Sequence, residues 1–170
     1  MPMTIDKAQV TLPSDREVQV TRSFKAPRAL VFRAYTEPAL VRRWMLGPPG
    51  WSMPVCDMDV RVGGSYRWRW RNDADGAEFG FFGTFREVQP PSKIVHSERY
   101  DPGTLPEAYP TEGEAIITTT FTEEDGITTM TSLMDFGSKE IRDAAMKTGM
   151  TEGMEQSYQL LDRLLQEQHQ

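Results

Sequence analysis

Cysteine is nearly missing from this chain: one residue, Cys56, in 170. A single thiol excludes an internal disulfide and any zinc site built on paired cysteines. Histidine is almost as scarce, with two residues, His96 and His169, so no metal or other cofactor is expected. Positive charge is in deficit. Lys and Arg number 19 against 25 Asp and Glu, for a net charge of −6, whereas nucleic acids and anionic membranes reward a basic surface. No apolar run nears the ~20 residues that span a bilayer. Neither nucleic-acid binding nor membrane insertion is therefore expected. The opening MPMTIDKAQV lacks the charged-then-apolar pattern of a secretory leader, and a cytoplasmic location is the expectation. Also missing are a Walker loop, GxGxxG, GxSxG, HExxH and coiled-coil heptads. Standard nucleotide, hydrolase and zinc-protease chemistries have no support.

What the chain does have is bulk for a core. Hydrophobic residues make up 38% and aromatics 10%, with ten methionines and four tryptophans. That suits one domain with a large core. Methionine fills irregular spaces and adapts to varied ligands. Residues 1–15 are polar and unpatterned and read as a flexible arm; residues 16–168 read as a single domain.

The C-terminal stretch organises the rest. From Ser138 to about Gln168 no proline interrupts, and one long helix is predicted. Ser138 suits its N-cap and Glu140 its first turn. Ile141, Ala145, Met150, Met154, Tyr158, Leu161 and Leu165 recur as one apolar stripe. Upstream, Arg16–Phe24 alternates as a half-buried strand, with Arg22 the one mismatch among Val18, Val20 and Phe24. Pro27 opens a helix whose inner face is Leu30, Val31, Ala34 and Tyr35. Thr36 is the candidate N-cap of a second short helix ending at Trp44. After Gly47-Pro48-Pro49-Gly50 come six strands: Val55–Val62, Ser65–Arg71, Phe79–Val88, Ile94–Tyr100, Glu114–Thr122 and Ile127–Phe136. Hairpin-length turns join most of them, so the sheet is antiparallel. Gly80 and Gly83 inside a strand point to a bulge or bend. The class is α+β.

Four phrases carry a resemblance: FKAPRALVFRAYTEPALVRRWM, DMDVRVGGSYRWRWR, GTFREVQPPSKIVHSE and GMTEGMEQSYQLLDRLL. Over about Arg16 to Leu165 the chain resembles the START-like, birch-pollen-allergen-like superfamily. Within it, the chain is most similar to the domain named for the C-terminal part of the activator of the heat-shock-protein-90 ATPase. The resemblance implies the helix-grip fold, a seven-stranded curved antiparallel sheet wrapped around a long C-terminal helix. It also implies a cavity between the two, open at one end, and a Gly153 that lets the helix pass close to the sheet. Its motifs are structural more than catalytic, so they speak to fold before function.

Within that frame the ligand-binding candidates are Tyr66, Trp68, Trp70, Phe81 and His96 on the strands, facing Met150, Met154 and Tyr158 on the helix. Rows of aromatics and methionines suit a flat apolar ligand, and they equally suit plain core packing. Trp44, Trp51, Leu105 and Tyr109 are candidates for a gate. No catalytic residue is assigned, although His96 and Glu98 share a strand face where an acid or base could sit. Arg67, Arg69 and Arg71 form a basic stripe, expected to pair with Asp57 and Asp59. Cys56 reads as a small buried hydrophobe. The expected function is binding of a small hydrophobic or aromatic molecule without catalysis. A cyclase-like or hydrolase-like enzyme and a chaperone-associated interaction domain are the alternatives. A homodimer is compatible with all three.

Overall fold

The computed structural model of the protein describes residues 4–104 and 113–168. The gate candidates Leu105 and Tyr109 lie outside the described residues. Twelve elements follow one another: β1 Gln9–Thr11, β2 Glu17–Phe24, α1 Arg28–Thr36, α2 Pro38–Trp44, β3 Trp51–Met58, β4 Ser65–Asn72, β5 Glu78–Gln89, β6 Lys93–Asp101, β7 Ala115–Glu124, β8 Ile127–Asp135, α3 Lys139–Lys147 and α4 Met150–Gln168. The strands form one antiparallel sheet in the order β1-β2-β8-β7-β6-β5-β4-β3. The architecture is the helix-grip expected from the sequence, with eight strands in place of seven. The additional strand, β1, lies in the polar opening segment. Its backbone pairs Gln9 with Thr21 and Thr11 with Gln19, an edge pairing that needs no apolar alternation and so leaves no periodic signal.

Alternation places the core. Val18, Val20 and Phe24 of β2 are buried, as are Tyr66, Trp68 and Trp70 of β4 and Ile94 and His96 of β6. Arg22, the mismatch in β2, is only 3% exposed. Its guanidinium donates to Asp162 Oδ1 at 2.8 Å and Oδ2 at 2.9 Å, and to Glu155 Oε2 at 3.0 Å. Two helical carboxylates seven residues apart thus satisfy the fork of one buried arginine.

Several boundaries differ from expectation. The C-terminal helix is broken: α3 ends at Lys147, Thr148 Oγ1 donates to the Ala145 carbonyl at 2.6 Å, and Gly149 takes φ +78. A glycine in the left-handed region ends a helix, and apolar periodicity on both sides conceals the break. Thr36 does not cap α2. Its hydroxyl donates back to the Phe32 carbonyl at 2.9 Å, and Glu37 holds the N-cap position without a side-chain bond. β3 runs Trp51–Met58 instead of Val55–Val62, because Asp59–Gly64 turns the chain and Val62 lies in solvent. Pro54 is tolerated because β3 is an edge strand. Gly153 does not bring α4 onto the sheet: a Cβ there would meet Pro48 Cδ at 3.9 Å, an ordinary contact. The principal contacts of α4 are with α2, α1 and α3.

Candidate functional site

The concave face of β4, β5 and β6 is a continuous aromatic surface. Tyr66 and Trp68 have ring centroids 4.4 Å apart, Trp68 and Trp70 6.2 Å, Trp70 and Phe81 5.9 Å, and Phe81 and Tyr100 5.6 Å. Phe79 stacks on Trp70 at 5.4 Å. Cross-strand register produces this: Trp68 lies opposite Phe81, and Trp70 opposite Phe79. Gly80 and Gly83 let the strands approach. A Cβ on Gly80 would stand 2.0 Å from the Trp68 carbonyl oxygen, and one on Gly83 2.1 Å from that of Ser97. The irregularity of β5 against β6 falls later, between Phe85 and Glu87, so the glycines serve close approach and not that bulge.

A polar chain crosses the aromatic surface. The Tyr66 hydroxyl lies 2.6 Å from the Ser97 carbonyl and 3.0 Å from His96 Nδ1, which is itself 3.3 Å from the same carbonyl. A carbonyl can only accept. The Tyr66 proton therefore goes to Ser97 at the shorter distance, and His96 Nδ1 carries a hydrogen that it donates to the Tyr66 oxygen and the carbonyl. This tautomer leaves Nε2 as a lone-pair acceptor. Burial holds His96 down at about 4, against a smaller upward pull from the Ser97 carbonyl, so the imidazole is neutral near pH 7. Burial likewise pushes Tyr66 above the usual phenol range, with Glu98 and Glu114 adding to the shift. Burial raises the Glu98 carboxyl to about 7. The Trp68 indole N–H is buried without a hydrogen-bond partner among the described residues.

The structure divides the ligand-binding candidates into two groups. Tyr66, Trp68, Trp70, Phe81 and His96 come together on the sheet. Tyr158 joins a different cluster, with its ring centroid 5.8 Å from Phe24 and 6.3 Å from Trp44. The helix stripe meets α1 and α2 before it meets β4, so opposition of Tyr158 to the tryptophan row is not observed. Met150 and Met154 are half-buried against the core. Trp44 is 1% exposed and its indole donates to the Ala34 carbonyl at 2.8 Å; these are the surroundings of a core anchor. Trp51 lies half-buried at the start of β3, edge-on to Phe79 at 5.3 Å. One bond links the two clusters: Trp70 Nε1 donates to the Met45 carbonyl at 2.7 Å. The Gly47–Gly50 loop meets α4, where Gly47 N–H donates to Ser157 Oγ at 2.8 Å. Phe79 and Tyr100 were legible only through parity with Phe81 and Glu98; Ser97, on the opposite parity, acts through its carbonyl and left no signal.

The basic stripe pairs differently from expectation. Arg69 reaches Asp101 at 2.8 Å and Glu78 at 3.4 Å, and Arg67 reaches Asp101 at 3.5 Å; Asp59 pairs with Arg61. Register explains this: Arg69 lies opposite Gly80, and Gly80 opposite Asp101, so the acid reaches the arginine over a residue without a side chain. Cys56 is buried, and burial raises its thiol, which disfavours the thiolate. No group of three potential metal ligands occurs among the described residues. One surface pocket of about 490 Å³ is lined by Tyr66, Arg67, Phe82, Gly83, Ser97 and Arg99; another of about 650 Å³ lies between Arg22, Lys25 and Asp162.

A curved antiparallel sheet with a C-terminal helix and an aromatic concave wall defines a helix-grip protein. Residues 25–166 match the family described as Activator of Hsp90 ATPase homolog 1-like protein, and the chain belongs to that family. It is similar to a crystal structure of a protein from Rhodobacter sphaeroides, at 30% identity over 94% of this chain and 98% of that one, with a TM-score of 0.83. Protein Ms6760 from Mycobacterium smegmatis shares the fold at 24% identity, over 94% and 97%, with a TM-score of 0.80. Protein CV1439 from Chromobacterium violaceum does so at 25% identity, over 89% and 98%, with a TM-score of 0.76. No curated protein matches the sequence significantly. The fold is one commonly built around a ligand-binding cavity. No helix among the described residues is long and apolar enough to cross a membrane.

Proposed function

We propose that the protein binds a small apolar or aromatic molecule against the concave face of β4–β6. The supporting observation is the array itself: Tyr66, Trp68, Trp70, Phe79, Phe81 and Tyr100 in unbroken ring contact, of which Phe79, Phe81 and Tyr100 are only half-buried. A binding wall leaves part of its aromatic area for the ligand. Met150 and Met154 are adaptable, half-buried side chains of α4, and the Gly47–Gly50 loop, held to α4 and next to Met45, is the part that gives way for entry.

An acid–base enzyme on the same surface is the second reading. It draws on Glu98 and His96, two residues apart on one face of β6, with His96 neutral and Glu98 about half-protonated near pH 7. A chaperone-associated interaction domain calls for a broad exposed apolar patch. The exposed large apolar side chains among the described residues are Val10, Leu12 and Val62, which favours the ligand reading.

The test is a thermal-shift screen of uncharged aromatic compounds, with tryptophan fluorescence read alongside. A ligand at 100 times its dissociation constant stabilises the fold by about 2.7 kcal/mol, a rise of roughly 5 to 10 °C for a chain of this size. Quenching that Trp68→Ala abolishes supports the assignment. A flat response across the compounds overturns it and returns weight to a partner-binding surface.

A further inference from the structure

We propose that Trp68 and His96 form the polar end of this site, the indole N–H donating to, and His96 Nε2 accepting from, one neutral hydroxyl on an aromatic ligand. The inference rests on the ligand-binding reading above and adds to it the chemistry of the ligand's head.

Three observations carry it. First, Trp68 Nε1–H is unpartnered among the described residues, while Trp68 itself is 8% exposed. A buried donor left unbonded is costly enough that native structures rarely retain one without a use. The other core indoles are not in this state: Trp44 donates to the Ala34 carbonyl and Trp70 to the Met45 carbonyl. Second, the Tyr66–Ser97 arrangement selects the His96 tautomer. With Nδ1–H spent on the Tyr66 oxygen and the Ser97 carbonyl, the nitrogen left for a ligand can only accept while the ring is neutral. Third, the two rings are neighbours, with centroids 5.9 Å apart at an interplanar angle of 75°. Rings this close allow a single oxygen to take a hydrogen from one and give a hydrogen to the other at ordinary bond lengths of about 2.9 Å.

A hydroxyl is the group that accepts and donates at one atom. A carbonyl accepts from Trp68 but leaves His96 Nε2 unused. A carboxylate head fares worse. Around it would stand a neutral imidazole, a neutral phenol and the Glu98 carboxyl. Two arginines of the sheet are committed elsewhere: Arg22 is held by Glu155 and Asp162, and Arg69 by Asp101 and Glu78. Burying an anion there without a partner is heavily disfavoured. The flat aromatic wall sets the rest of the ligand, since stacked and edge-on contacts suit a fused ring better than a flexible chain. A hydroxylated bicyclic or tricyclic aromatic therefore fits, and a fatty acid does not.

Naphthalene, 2-naphthol and 2-naphthoate make the test, with binding followed by calorimetry and by the Trp68 indole cross-peak in a 1H–15N spectrum. The expected order is 2-naphthol tightest, about tenfold or more over naphthalene, with 2-naphthoate weakest. The indole proton should move downfield with 2-naphthol and stay in place with naphthalene. Trp68→Phe, which keeps an aromatic ring and removes the donor, should bring 2-naphthol down to the level of naphthalene, as should His96→Phe. If either variant fails to fold, the wild-type order and the indole shift decide alone. Naphthalene and 2-naphthol binding alike, or 2-naphthoate binding tightest, overturns the polar head and leaves the aromatic site standing. Binding of none of the three overturns both.

Discussion

His96 and Glu98 sit two residues apart on the concave face of β6 and titrate in opposite senses. His96 is held at about 4 in the fold against about 6.5 unfolded. As pH falls through that interval the unfolded chain takes a proton that the folded chain refuses, so folding loses about 3 kcal/mol. Glu98 keeps its proton up to about 7, whereas the unfolded carboxyl releases it near pH 4.3. As pH rises through that interval the fold is destabilised. The two slopes oppose each other and nearly cancel between about pH 4.5 and 6.5. Urea titrations across this window should show nearly flat stability for the wild type. Glu98→Gln should show stability rising with pH, and His96→Phe stability falling with pH. Parallel profiles for all three proteins would remove both residues from the buried site. Below this range Glu155 takes over. Burial pushes its carboxyl up, but bonds from Arg22, the Ala8 N–H and Gln159 outweigh that and hold it below the usual value. Its contribution is present above the unfolded carboxylate pKa and is lost as pH falls through the folded one.

Two glycines illustrate how elements are set. Gly83 sits where β5 passes β6, and a methyl group there would lie 2.1 Å from a backbone oxygen, which only strand movement relieves. Gly83→Ala should cost about 3 kcal/mol or more in urea unfolding. Gly149 has room for a methyl group but takes φ +78, so Gly149→Ala should cost about 1 kcal/mol, and Gly149→Asn less. Equal costs at the two positions would contradict the distinction. Neither role is visible in the letters. Gly83 reads as a strand irregularity, and Gly149 disappears inside a periodic helix. The strands themselves were legible, because β4 alternates Tyr66, Trp68 and Trp70 with three arginines and needs no partner to declare its faces. β3 was legible less well. Its apparent alternation continues through Val60 and Val62 into a turn, and only its pairing with β4 ends it at Met58.

For the molecule as a whole, the opening segment closes one edge of the sheet. Ile5 and Ser23 exchange backbone and side-chain bonds, β1 pairs with β2, and the Ala8 N–H donates to Glu155 at 2.7 Å. Removing residues 1–11 should lower stability by about 2 kcal/mol and leave β2 as an open edge prone to self-association. It should leave the shift produced by an aromatic ligand unchanged, because β1 and β4 lie on opposite flanks of the sheet. Thermal melts with and without 2-naphthol, run on both chains, check this. A lost ligand response would move the binding site toward the arm.

Periodicity, turn chemistry and composition by themselves determined the α+β class, the antiparallel sheet and the inward row of β4. These are local properties: alternation at period two acts before the chain folds. Tertiary structure alone decided what met what. Arg22 looked like an error in β2 until Glu155 and Asp162, more than 130 residues away, enclosed it. Tyr158 shares a stripe with Met150 and Met154, yet its ring meets Phe24 of β2 and Trp44 of α2, because α4 packs chiefly on α1 and α2. The Tyr66–His96–Ser97 chain depends on a backbone carbonyl, which carries no residue identity. Long-range pairing and backbone acceptors are set by the path of the chain in space, and that path supplies the polar end of the candidate site.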